Sequence, residues 1–393
     1  MKGTTFQRNK TWTVVIEGDR DPQTNKRMRH WKSGFRTKRE AEAWKLDALN
    51  KIQRNEFSAP SKMTLAEFIA EWLDVSEMKY KPGTFSVMKR HLTNHVIAYI
   101  GSTKLQTLRT AQINALYKKL ATNGNRTESK GLSIGTIKGV HSYLRKALSD
   151  AEKWDYIAKN PATNADVPKD YGIKTTGHEI WNREELQQFL ESSQAANDKY
   201  YPLWLFLATT GVRRGEALGI EWNDVDMETG MCTIRQTLSC VDHKPVFQTP
   251  KTKSSLRTIA IPQSTLRALK KHRKEQSVNK LSLGEAWDSS HDLVFTHEDG
   301  ALLHPERVLK EFHRRSDRYG VRRVRLHSLR HGWATFAGQA GISPNVMKDH
   351  LGHSSITITM DIYSHVLASQ DQEAAEEVAR AIFAPDLKAG GYE

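Results

Sequence analysis

Apolar positions change period along this chain, and each change marks a segment of different architecture. Trp12-Thr-Val-Val-Ile16 and Arg27-Met-Arg-His-Trp31 read as short strands around the turn-rich stretch Gly18 to Asn25. Thr37 followed by Glu40 reads as a capping box opening a helix through Ala41, Trp44, Leu46 and Ile52. Residues 1–58 are therefore expected to form a small sheet-plus-helix module. After the linker-like Ser58-Ala-Pro-Ser-Lys62 the period becomes helical throughout. Thr64 with Glu67 caps a helix bearing Leu65, Phe68, Ile69, Trp72 and Leu73. Further stripes begin near Thr84, Thr110 and Ser133. One apolar stripe per helix predicts a bundle over 63–165, which Asn160-Pro161 closes because proline cannot continue a helix.

A second linker runs to about Gly177, and a mixed region over 175–393 follows. Asn182 with Glu185 caps its first helix, and helices are expected over 201–209, 213–220, 264–271, 305–319, 327–340, 344–351 and 372–383. Residues 231–241 and 256–261 alternate like paired strands. The fold class expected is mostly helical α+β in three domains.

Charge changes the picture. The 393 residues carry a formal net charge of +14, and residues 1–58 hold fourteen Lys and Arg against seven Asp and Glu. A polyanion is the partner this implies. A β-ribbon fits a major groove, and Arg27, Arg29, Lys32, Arg36 and Lys38 would surround its phosphate walls. Lys138, His141 and Arg145, on the more polar side of the last bundle helix, are further candidates for phosphate contact. No long apolar run suggests a membrane span, and no hydrophobic signal segment follows the first basic residues. Cys232 and Cys240 are too few for a disulfide scaffold, so reduced thiols and a cytoplasmic location are expected.

Candidate chemistry is spread over remote segments. In Thr210-Gly-Val-Arg-Arg-Gly-Glu216, Arg213 opens a helix where its guanidinium and free amides can face one anion, and Glu216 sits one turn on to hold it. His327 and Arg330 share a helical face, a proton carrier beside a phosphate clamp. His327 and His331 also have the spacing of a zinc helix, but the glutamate base is missing and Arg330 would repel the ion. His353 directly follows Gly352, a helix-ending glycine, and serves either as a structural cap or as a phosphate contact. Tyr363 is a poor nucleophile at neutral pH unless cations and a base surround it.

Thr210-Gly-x-Arg213-x-x-Glu216, a hairpin lysine, His327-x-x-Arg330, Leu351-Gly-His353 and Tyr363 stand in the order and approximate spacing of the tyrosine recombinases, the phage integrase family. The chain resembles that family closely over about 180–370, and the two N-terminal modules look like its arm-binding and core-binding domains. The resemblance implies that Tyr363 is the nucleophile, that Arg213 and Arg330 hold the scissile phosphate, that His327 transfers protons and that His353 binds phosphate. Lys251 fits the hairpin lysine, with Lys253 the alternative. Arginines and histidines then supply positive charge where a nuclease would use Mg²⁺, so neither metal nor cofactor is expected. It further implies a homo-tetramer on attachment-site DNA, with possible DNA-bending and excision accessory proteins, integrating or excising a phage or conjugative element. Residues after Ser369 read as an amphipathic helix that covers its own domain or docks on a neighbouring protomer. A type IB topoisomerase and a non-cleaving DNA-binding regulator are the competing readings.

Overall fold

A computed structural model describes residues 3–20, 27–53, 61–125, 130–169, 179–249, 256–353, 355–357 and 360. The architecture is mostly helical α+β, and the chain forms two compact units, Met1–Gly172 and Ile173–Glu393.

The first unit begins with a three-stranded antiparallel sheet, β1 (Gly3–Arg8), β2 (Thr11–Arg20) and β3 (Arg27–Phe35), covered by α1 (Lys38–Gln53). Val14 and Ile16 point to the helix and pack with Ala41 and Ala48. Pairing of Val14 with Lys32 and of Glu17 with Arg29 sends those two basic residues to opposite faces, because successive side chains alternate. Lys32 consequently lies over Trp44 of the helix, and Lys38 over Trp12. Trp31, 51% exposed, meets Phe6 edge to face on the open side. The expected capping box is half formed: Thr37 accepts from the Glu40 amide, but Glu40 reaches back to the Arg36 amide instead.

The bundle comprises α2 (Leu65–Glu77), α3 (Pro82–Leu92), the short α4 (Ala98–Ile100), α5 (Thr110–Asn123) and α6 (Ile134–Lys153). Thr64 and Glu67 make the full capping box, and Ser133 caps α6 through the Thr136 amide. The predicted stripe residues form one core with Leu92, Val96, Ile113, Leu116, Leu120, Ile137 and Leu144. A π-helical turn, Thr93–Ile97, joins α3 to α4. His141 is not a surface cation: it shares a 2.8 Å hydrogen bond with Tyr117 Oη, and burial lowers its basicity. Lys138 and Arg145 are exposed.

The helix before Asn160-Pro161 ends at Lys153, short of the proline, since Asp155 takes a left-handed backbone (φ 59°). Asn160, 2% exposed, staples the returning chain to α6: its Nδ2 donates to Arg145 O and Ser149 Oγ, both at 2.9 Å, and its Oδ1 accepts from the Ala162 amide at 2.8 Å.

The second unit contains α7 (Arg183–Ala195), α8 (Tyr201–Thr210), the single turn α9 (Arg214–Ala217), α10 (Gln263–Leu283), α11 (Pro305–Arg318), α12 (Ser328–Gln339) and α13 (Pro344–Leu351). Two antiparallel strand pairs lie among them: β4 (Met231–Ile234) with β7 (Arg257–Ala260), and β5 (Thr237–Val241) with β6 (Lys244–Gln248). The single strand expected over 231–241 is thus two, and its second half turns back at Asp242 and His243, both at positive φ, to pair with a strand the alternation did not reveal. The helix expected over 213–220 is one turn long, and that expected over 264–271 runs on to Leu283. The extension buries little, so no apolar stripe announced it. Aromatic rings of Trp181, Phe189, Trp204 and Phe312 fill the core, and Asp198 receives both Arg315 and Trp204 at its edge. The expected helix over 372–383 lies outside the described residues. Among the described residues, no helix is long and apolar enough to cross a membrane.

Replacing Asn160 by Ala leaves the Arg145 carbonyl and Ala162 amide without this partner, and should lower unfolding stability by about 2 kcal/mol. Urea unfolding of the full chain followed by tryptophan fluorescence checks this; an unchanged midpoint would show that Asn160 does not hold the return.

Candidate active site

Two helices in the second unit end in the same way. α8 is almost wholly apolar and buried, and it stops at Gly211, whose φ of 62° only glycine adopts readily. A Cβ there would come within 2.9 Å of the Trp333 ring and 3.1 Å of Leu351. α13, capped at its start by Ser343, stops at Gly352 with φ 68°. Each ending leaves carbonyls of the last turn with no partner inside the helix.

Side chains from neighbouring elements take these carbonyls one by one. At the end of α8, Trp333 Nε1 donates to Thr209 O (3.0 Å), His350 Nε2 to Thr210 O (2.8 Å) and Arg330 Nη1 to Gly211 O (2.9 Å). At the end of α13, Arg257 Nε donates to His350 O (2.6 Å), Arg330 Nη2 to Leu351 O (2.7 Å) and Arg213 Nη2 to Gly352 O (3.3 Å). Arg330 therefore bridges both helix ends. The His350 and Trp333 rings, 4.3 Å apart and nearly parallel, stack between them. The negative ends of two helix dipoles face this cluster, which favours cations there.

Among the described residues, one carboxylate enters. Glu216, 3% exposed, accepts from Arg213 Nη1 (2.8 Å), the Arg213 amide (2.9 Å), Arg257 Nη2 (2.9 Å) and Arg257 Nη1 (3.2 Å). Burial works against its charge, yet the Arg257 guanidinium, with Arg213 behind it, holds its carboxyl down at about 2. Two guanidiniums thus meet this carboxylate, while the third, Arg330, is held by carbonyls. Arg330, 3% exposed, is drawn down to about 9 by burial and by repulsion from Arg213 and Arg257, and stays protonated at neutral pH. Burial, then Arg330, Arg213, Arg257 and His327, push the His353 imidazole down to about 4, so it is neutral there. Among the described residues this arrangement is cationic and short of anions, an environment that favours an oxyanion.

The structure brings Arg213, Glu216, Arg330, His327 and His353 into one neighbourhood. Arg213 is the extended residue ahead of α9, 38% exposed, whereas Arg214 lies near Cys240 and Glu306. His327 stands ahead of α12 with its ring edge to face with His331, centroids 4.8 Å apart. The described residues place three metal-ligating side chains together only at Cys240, His304 and Glu306, away from the zinc-like His327/His331 spacing. Lys251, Lys253 and Tyr363 lie outside the described residues. Of the other basic candidates, Arg29 is exposed beside Glu17 (3.5 Å), Arg36 is exposed, and the Arg27 side chain is not described.

Arg257, His350 and Trp333 were not anticipated. Arg257 offered a signal: it precedes Ile259 by two in a strand, which places an arginine on the buried face.

Because the folded His353 binds its proton more weakly than an unfolded histidine, the unfolded chain takes up more protons between pH 6.5 and about 4. This group's contribution to stability is present above 6.5 and is lost as pH falls through that window. NMR titration of the His353 ring should show a midpoint near 4 that rises when inorganic phosphate offsets the arginines; a midpoint near 6.5 in the free protein would contradict the cluster's field.

Comparison with known proteins gives the family. The phage integrase family matches residues 181–370, an arm DNA-binding domain 5–52, and a phage integrase N-terminal SAM-like domain 64–121. A tyrosine recombinase XerC-like protein of Caldanaerobacter subterraneus subsp. tengcongensis is 32% identical over 358 residues, 87% of this chain and 89% of its own. The Tn1549 transposon integrase, solved in complex with transposon right-end DNA, superposes with a TM-score of 0.67 at 21% identity, covering 81% of this chain and 100% of that one. A lambda integrase tetramer bound to a Holliday junction superposes at 0.57 and 17% identity, covering 91% and 94%. The chain belongs to the tyrosine recombinases of the phage integrase family, the site-specific DNA recombinases of mobile elements.

Proposed function

We propose that this recombinase cuts and rejoins DNA at the attachment sites of a phage or conjugative element, with Tyr363 as nucleophile. Its phenol oxygen attacks the scissile phosphorus, a P–O bond forms to the tyrosine, and the bond to the 5′ oxygen breaks. The protein is left joined through a 3′-phosphotyrosine, and Lys251, or Lys253, gives the leaving 5′ oxygen its proton. A 5′-hydroxyl from the partner duplex reverses the step, so the linkage energy is conserved and ATP is not needed. Arg213 and Arg330 hold the non-bridging oxygens as negative charge gathers on them. His327 takes the tyrosine proton, and His353 binds phosphate as a neutral donor, in keeping with its low basicity. The observation that carries this reading is the excess of guanidinium over carboxylate at the two helix ends.

Residues 1–58 would bind arm sites through Arg27, Arg29, Lys32, Arg36 and Lys38. Residues 63–165 would bind the core through Lys138 and Arg145, and 175–393 would carry the chemistry. The protein would act as a homo-tetramer in a bacterial cytoplasm, by analogy with the lambda assembly, and accessory bending and excision proteins fit that scheme. The helix after Ser369 would dock on a neighbouring protomer. A recess of about 490 Å³ between α7, α8 and α12, with Leu186, Leu190, Phe336 and Ala340 beside polar residues such as Arg183 and Glu191, suits such an amphipathic segment.

Wild type and Tyr363→Phe, each incubated in EDTA with a nicked duplex carrying the attachment core, separate the readings. A covalent adduct on a denaturing gel is expected for the wild type alone. No adduct on a verified site would support a non-cleaving regulator, and adducts on any sequence would support a topoisomerase.

A further inference from the structure

We propose that Arg257 is a positioning residue for the phosphate-binding arginine Arg213: it shares the Glu216 carboxylate with Arg213 and so leaves part of the Arg213 guanidinium free for the substrate. The inference rests on the reading of Arg213 as a phosphate ligand. It begins with an anomaly, an arginine side chain 7% exposed on the inward face of β7. Its two Nη groups each meet one oxygen of Glu216, the fork-to-fork geometry that makes Arg–carboxylate pairs strong. Each Glu216 oxygen then already has a second donor, Oε1 from Arg213 Nη1 and Oε2 from the Arg213 amide.

Arg213 consequently reaches Glu216 with one Nη group only. Its other, Nη2, lies 3.3 Å from Gly352 O, a long contact that a phosphate oxygen can replace at little cost. The side chain is 38% exposed, while Glu216 and Arg257 are buried. Remove Arg257, and a buried carboxylate faces a single cation. The lower-energy arrangement is then a closed Arg213–Glu216 fork, with both guanidinium nitrogens engaged and the local charge excess cut by one. Arg257 also fixes the turn that bears His353, since its Nε donates to His350 O three residues before it. One side chain thus sets both how far Arg213 is committed to Glu216 and where the Leu351–His353 turn lies.

The charge-sharing role predicts a rescue that a purely structural role does not. Glu216→Gln removes the charge that Arg257 balances, so a double variant has no carboxylate left to capture Arg213. Four full-length proteins are compared: wild type, Arg257→Met, Arg257→Lys and Arg257→Met/Glu216→Gln. The readouts are inorganic phosphate affinity by calorimetry, adduct formation on the nicked core duplex, and thermal midpoint. Arg257→Met should bind phosphate about tenfold more weakly and form adduct about 100-fold more slowly, with Arg257→Lys between it and wild type. The double variant should regain at least about tenfold of the lost adduct rate. Should Arg257→Met not fold, the same rescue is read by comparing Arg257→Lys with Arg257→Lys/Glu216→Gln. Arg257 variants equal to wild type in phosphate affinity, or a double variant no better than its single parent at a matched midpoint, overturn the proposal. Phosphate affinities in this order, with no adduct from wild type, contradict the assigned strand chemistry and leave the role of Arg257 standing.

Discussion

The second unit depends on how three arginines are held where the described residues supply almost no countercharge. The carbonyls at the ends of α8 and α13 accept from Arg330, Arg213 and Arg257, and from the indole and imidazole packed beside them. A guanidinium has five donors in a rigid fork, and carbonyls satisfy them without cancelling the charge. Helix C-termini add a favourable field, worth about 0.3–1 kcal/mol for each nearby cation at an exposed site and more where partly buried. The cluster can therefore be buried, rigid and still cationic.

The constraint reaches back into the backbone. Carbonyls can point at a common centre only if both helices stop abruptly, and each stops on a glycine in the left-handed region. Gly211 has a second reason to lack a side chain, since Trp333 and Leu351 fill the space a Cβ would need. Trp333 and His350 lock the two ends together, so the positions of Arg330 and His353 follow from packing as well as hydrogen bonding. Glu216 is the one acidic member among the described residues, and its two oxygens are shared between arginines of different elements. The same elements that build the hydrophobic core thus fix the charge geometry, with the burial of α8 setting where Gly211 falls.

Much of this was legible beforehand because local rules and tertiary structure agree. Thr64, Ser133, Asn182 and Ser343 cap the helices their side chains predict, and the bundle stripes are buried as their period requires. Arg213, Glu216, His327, Arg330 and His353 stood out as a set through their resemblance to the tyrosine recombinases, and Gly352 was readable as a helix stop. What stayed hidden depends on partners distant in sequence. β6 exists because β5 folds back on it, and α10 continues past Lys271 on helix propensity rather than on burial. The hydrogen bond of His141 to Tyr117 and the placement of Lys32 over Trp44 both depend on residues remote in the sequence. Arg257 drew no reading from the sequence, and its contacts with Glu216 and His350 show what it holds.

The most direct test of the account is where an oxyanion binds. In crystals of the full chain soaked with tungstate, anomalous scattering should locate one anion within hydrogen-bonding distance of both Arg213 and Arg330, with His353 against it. Tungstate absent from that position, or bound only at the basic N-terminal module while Arg213 and Arg330 keep their carbonyl contacts, would contradict the claim that the two helix ends assemble a phosphate site.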